Sequence, residues 1–178
     1  MTEFERFDAE ELVRRLVEAD VRFVLIGGLA AQAHGSTSLT SDLDIVPSWD
    51  RDNLRKIARI LSDIGAVRHG VAAGATTLPP LDERTLLAGA VFTLTTKYGR
   101  LGLLANPDPG FDFESLVKTG AEHEFLGHRL HVASLDDLIA MKRAAGRPKD
   151  RVELEILGAL REEIDRSSPG RRRRGAPG

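Results

Sequence analysis

At 178 residues, 42% apolar and 29% charged, the chain is long enough to bury a core of its own and too apolar for a disordered polypeptide. It holds no cysteine, which excludes disulfides and thiolate metal sites, and no apolar run approaches the roughly 18 residues of a membrane span. Net charge is −2, yet four consecutive arginines, Arg171 to Arg174, sit in the tail SSPGRRRRGAPG; the remainder is therefore more acidic than the average and offers no strong global field for nucleic acid.

The acidic, amphipathic start MTEFERFDAEEL does not read as a signal peptide, and a cytoplasmic protein is the expectation. Asp8 with Glu11 marks a helix start, and Leu12, Val13, Leu16 and Val17 give that helix an apolar stripe. VRFVLIG, ending at Gly27, reads as a buried strand. Gly27-Gly28 ends it, LAAQAHG is a short helix, and SDLDIVP is a second strand stopped by Pro47. Asp50 caps a third helix with Leu54, Ile57, Ile60, Leu61 and Ile64 at helical spacing. Residues 66–88 read as a loop with a short helix near Asp82 to Leu87.

Beyond it, AVFTLTTKYGRLGLLA is a hairpin about Tyr98-Gly99, DFESLVKTG a short helix, and HEFLGHRLHVA a second hairpin turning at Gly127. Ser134 with Asp137 starts a helix that Gly146-Arg147-Pro148 breaks. The last helix runs from Val152 to Ile164, with Val152, Ile156, Leu157, Leu160 and Ile164 inward. Helices and strands mix without regular alternation, which predicts an α+β fold: a mixed sheet flanked by helices in one domain over residues 1–166. Residues 167–178 have nothing to bury and read as a disordered basic tail, either a plain solvated terminus or a contact for RNA.

The chemistry concentrates between Ile26 and Ser48. Side chains alternate along a strand, so Asp42 and Asp44 share one face while Leu43 and Ile45 face the core. Two carboxylates about 7 Å apart repel unless solvent, a basic partner or a divalent cation offsets them. Hard oxygen ligands of this kind suit Mg²⁺, which takes one or two carboxylates together with substrate phosphates; Mn²⁺ is the second candidate. Gly27-Gly28 lies between strand and helix, where glycine permits close backbone approach and helical N–H groups face an anion. Strand, glycine pair, helix, strand and DLD in this order describe a nucleotide site.

Lys142 falls on the line of Leu135, Leu138 and Ile139 at helical spacing. A lysine there either snorkels past the core edge or reaches a partner in a cleft. Asp150 reads as the cap of the last helix. His34 stands beside the glycine segment, as a packing group or near a phosphate. The other histidines have no ligand spacing, and no zinc site is assigned.

The pattern GG…TSDLDI resembles the signature of the DNA polymerase β-type nucleotidyltransferase superfamily. Together with TKYGRLGLL and LHVASLDDLIAMKRAAGRPKD, it resembles the AbiEii-like bacterial nucleotidyltransferases, which include toxins of toxin–antitoxin systems. The resemblance implies Mg²⁺-dependent transfer of a nucleoside monophosphate from an NTP to an acceptor hydroxyl, in some relatives the 3′ end of tRNA, and a cognate antitoxin as partner. It places the metal on Asp42 and Asp44, the phosphates along Gly27, Gly28 and Ser41, and the triphosphate on Lys142, with Asp150 orienting the site. Such sites carry a third carboxylate on the strand after the Tyr-Gly turn. Here that strand reads GRLGLL, with Gly102 at the position in question. The alternative is therefore a nucleotide- or RNA-binding relative without turnover, or one half of a two-protein system.

Overall fold

The structure, a computed structural model, describes residues 7–71, 78–146 and 150–167. Residues 168–178 of the expected disordered tail and the Arg147-Pro148 break lie outside the described residues, while Ser167, expected to begin that tail, ends the last helix.

Helices start where the sequence places a capping oxygen. The carboxylates of Asp8, Asp50, Asp82 and Asp112 and the hydroxyl of Ser134 each accept from the backbone N–H three residues on, at 2.8–3.1 Å. They begin α1 (Ala9–Glu18), α3 (Arg51–Asp63), α4 (Glu83–Ala88), α5 (Phe113–Thr119) and α6 (Leu135–Ala145). Asp50 also accepts from Ser48 and Arg22. Burial opposes its charge, but these bonds outweigh burial and hold its pKa below the ordinary value.

The strands are β1 (Phe23–Ile26), β2 (Asp42–Pro47), β3 (Val67–Arg68), β4 (Val91–Thr96), β5 (Gly99–Leu104), β6 (Ala121–Phe125) and β7 (His128–Val132). They form one seven-stranded sheet in the order β3-β4-β5-β2-β1-β7-β6. Both hairpins are antiparallel, as is β1 with β2. β2 with β5 and β1 with β7 are parallel, so the sheet is mixed, in agreement with the α+β expectation. Val24, Leu25, Leu43, Ile45, Leu94 and Leu103 at its centre are fully buried.

Three details depart from the sequence reading. β3 falls in the segment expected as loop; its two residues pair with Thr95 and Leu94 of β4. The glycine pair does not precede the helix α2 (Gly27–Ala33) but forms its first turn. The last helix, α7, runs Asp150–Ser167, and its inward face is narrower than expected. Leu157 is buried and Leu160 partly so, but Val152 is 64% exposed, and Ile156 and Ile164 are also exposed. The helix is held instead by polar links to α6: Glu153 to Lys142, and Arg161 to Asp136. Among the described residues no helix is long and apolar enough to cross a membrane.

Candidate functional site

β2 lies between β1 and β5, and this position assembles the site. Asp44 is the register partner of Ile26 on one side and of Gly102 on the other; Asp42 is the partner of Arg100. Leu43 and Ile45 are fully buried. Asp42 and Asp44 are half-buried and open onto a cleft of about 800 Å³. The alternation expected from DLDI therefore holds.

The first turn of α2 forms the floor beside Asp44. Gly27 adopts φ +69°, and a Cβ there would lie 2.8 Å from Asp44 Oδ2. A Cβ on Gly28 would lie 2.6 Å from Thr40 Cβ. Both glycines are thus required by close packing against the DLD strand and the segment before it, quite apart from any ligand. Thr40 in turn donates its hydroxyl to Asp42 Oδ1 at 2.7 Å, which fixes the Asp42 carboxylate toward the cleft.

The opposite wall comes from α6 and α7. Lys142 lines the cleft with its side chain 21% exposed, ion-paired to Glu153 of α7. Asp150 begins α7, and its side chain lies outside the described residues. Ser41 is exposed and does not line the cleft as its neighbours Thr40 and Asp42 do; its hydroxyl accepts from Arg100 Nη2 at 2.9 Å.

Arg100 was missed by sequence reasoning. It is a polar residue on a short strand, and only the β2–β5 register reveals that it stands beside Asp42. Gly102, the position singled out on this strand, lies in the site. Gly102 is paired directly with Asp44, whose carboxylate lies over it; a Cβ there would overlap Asp44 Oδ1 and lie 3.2 Å from Asp44 Cγ. Among the acids beyond that strand, Asp108 lines the cleft.

His34 faces away from this site. Its Nε2 lies 2.8 Å from the carbonyl oxygen of Ala133, and its ring meets His123 edge-on at 4.7 Å. The packing reading of His34 is the one the structure supports. Burial, then the adjacent His34, and also His131 lower the His123 pKa, against a bond to the backbone of Ala33 that raises it. A depressed histidine pKa means that the unfolded chain takes up the proton first. The contribution of His123 is thus fully present above the unfolded value of about 6.5 and is lost as pH falls below it. Melting temperature should decline between pH 7.5 and 5.5, and His123→Gln should flatten that decline. Parallel curves for the two proteins would rule out the histidine as its source.

No family model matches the chain, and no curated protein matches it. Solved structures do. The lincomycin-bound crystal structure of the lincosamide antibiotic adenylyltransferase LnuA superposes with a TM-score of 0.58 at 16% identity, over 87% of this chain and 99% of that one. The chain has a nucleotidyltransferase fold. A candidate nucleotidyltransferase from Thermotoga maritima also aligns, with a TM-score of 0.49 at 19% identity, over 92% of this chain and 99% of its own.

Proposed function

We propose that this chain transfers a nucleoside monophosphate from an NTP to an acceptor hydroxyl. One observation carries the reading: Asp42 and Asp44 open from a single strand face onto a cleft that Gly27 and Gly28 floor and Lys142 walls. The fold shared with an adenylyltransferase supports it.

The donor set fits a divalent cation. Two hard carboxylates share a face, one of them oriented by Thr40, and the cleft beside them is large enough for phosphates to complete the coordination. Mg²⁺ suits these oxygens best, with Mn²⁺ as a substitute. When bound, the cation neutralises the phosphates and polarises the α-phosphorus. The chain's own residues do the rest. Lys142 exchanges its Glu153 partner for the outer phosphates, and the close-packed backbone at Gly27 and Gly28 lets a phosphate approach. Ser41, next to Asp42 in the chain, and Asp150, at the start of α7, complete the set that the AbiEii-like resemblance assigns to the phosphates and to orienting the site. The acceptor oxygen attacks the α-phosphorus in line. The bond to the bridging oxygen breaks, pyrophosphate leaves with the electron pair, and the hydroxyl proton is lost to solvent.

The AbiEii-like motifs point to an RNA acceptor such as a tRNA 3′ end, and to a toxin held by an antitoxin. Gly102 opposite Asp44 favours a second reading, a protein that binds nucleotide without turnover. Incubation with each α-labelled NTP, Mg²⁺ or Mn²⁺, and total RNA separates the readings. Label on an acceptor or release of pyrophosphate supports transfer. Nucleotide binding without either supports the second reading, and absence of nucleotide binding overturns both.

A further inference from the structure

The cleft has two flanks, and chemistry distinguishes them. On the β1 side of the DLD strand stand α2 with its glycines and α6 with Lys142, the groups suited to a triphosphate. On the other side lie β5 and β4, whose cleft-facing side chains come in register pairs. Leu104 faces Val91, which is 59% exposed; Gly102 faces Thr93; Arg100 faces Thr95, whose hydroxyl lies 2.9 Å from His69 Nδ1. The face therefore runs from apolar at Val91 and Leu104, past Gly102 with the Asp44 carboxylate over it, to cationic at Arg100.

Among the described residues no carboxylate pairs with the Arg100 guanidinium, and its one hydrogen bond there runs from Nη2 to Ser41 Oγ. A forked donor at a cleft wall, with most of its N–H groups uncommitted among the described residues, is suited to an anion. In-line transfer requires the acceptor to approach from the side opposite the departing pyrophosphate, which is the β4–β5 side.

We propose that the β4–β5 face is the acceptor subsite, that its substrate is a small hydroxyl compound with an apolar body and an anionic substituent, and that Arg100 anchors the anion. This rests on the transfer reading above. Gly102 contributes by letting the Asp44 carboxylate lie over the strand between the two ends, so that the apolar body rests on Val91 and Leu104 while the anion reaches Arg100. An RNA end, the acceptor to which the AbiEii-like motifs point, fits this face less well than a small compound does. A polyanion is held by several phosphate contacts, whereas this wall offers one cation and two apolar side chains.

The test uses the full chain loaded with Mg²⁺ and α,β-methylene ATP, a nucleotide that cannot transfer. Calorimetry then compares 3-phenyllactate, which carries a hydroxyl, an apolar ring and a carboxylate, with 3-phenyllactamide, which lacks the charge. The acid should bind at least about tenfold more tightly, the size of one charge-assisted hydrogen bond. Arg100→Ala should erase that difference at an unchanged melting temperature, and Arg100→Lys should restore part of it. Equal binding of acid and amide, or none of either, overturns the proposal. So does tighter binding of a CCA-ended RNA oligonucleotide. Loss of nucleotide affinity in Arg100→Ala would assign the arginine to the NTP instead. Failure of the wild type to bind the nucleotide at all would sink the transfer reading itself, and this proposal with it.

Discussion

Replacing Asp42 and Asp44 together with asparagine should abolish divalent-dependent NTP binding and lower any transfer at least about a thousandfold, roughly 4 kcal/mol in barrier. The substitution keeps the shape of both side chains. An amide oxygen at the first position can still accept from Thr40, as the Asp42 carboxylate does now at 2.7 Å. An amide at the second fits the gap that Asp44 fills between Gly27 and Gly102. What the change removes is charge, and a hard divalent cation depends on anionic oxygen. Melting temperature should fall by no more than about 2 °C, because neither side chain belongs to the apolar core. Calorimetry with and without Mg²⁺ gives the decisive comparison. The wild type should show NTP affinity that rises with Mg²⁺, and the double variant should show none of that increment. An increment of unchanged size would place the metal and the nucleotide away from this strand.

The parts of this site that the sequence made legible are those set by local rules. Strand alternation put both aspartates on one face because the side-chain period is two, and the structure has Leu43 and Ile45 fully buried behind them. Capping chemistry located helix starts at Asp8, Asp50 and Ser134, since a capping side chain and its partner lie three residues apart in the chain. Both hairpins followed from turn residues; Leu126 and Gly127 adopt φ +51° and +72°, as a tight hairpin turn requires. What stayed illegible depends on long-range pairing. Arg100 acquires meaning only from the parallel register of β2 with β5, two strands far apart in the chain, and the same register sets Gly102, singled out in the sequence, beside Asp44. The α7 face was misread because Leu157 and Leu160 bury against the body, while the charged residues Glu153 and Arg161 supply the rest of the seam. A search for apolar spacing selects Val152 and Ile156 and passes over those polar links. The glycine pair was legible as a motif but not in its physical reason, which is contact with Asp44 and Thr40.

Gly102→Asp should give a protein that is less stable without metal and more dependent on it. The register puts the new side chain directly beside Asp44. Its Cβ would overlap Asp44 Oδ1, and the other neighbour nearest to it is Leu104 Cδ1 at 3.5 Å. The atom in the way is the end of a rotatable side chain, so Asp44 can swing aside, and the strand pairing need not break. Two adjacent carboxylates then repel at close range, and overpacking of this kind costs about 1–3 kcal/mol. In a chain of this length that is a fall of roughly 3–10 °C in melting temperature. A divalent cation reverses the sign of the interaction, because the third carboxylate becomes a ligand. Millimolar Mn²⁺ should therefore recover most of the loss in Gly102→Asp. Gly102→Ala is the control: it meets the same overlap without a carboxylate, so it should lose stability and regain little with metal. If the missing acid is also what limits turnover, Gly102→Asp should raise transfer at least about tenfold, or 1.4 kcal/mol in barrier, with nucleotide affinity changed much less. Equal metal responses in the alanine and aspartate variants would show that position 102 does not face a metal. A wild type that already turns over briskly, together with a neutral or harmful Gly102→Asp, would mean that another acid completes the site. Asp108, which lines the cleft, would then be the residue to replace.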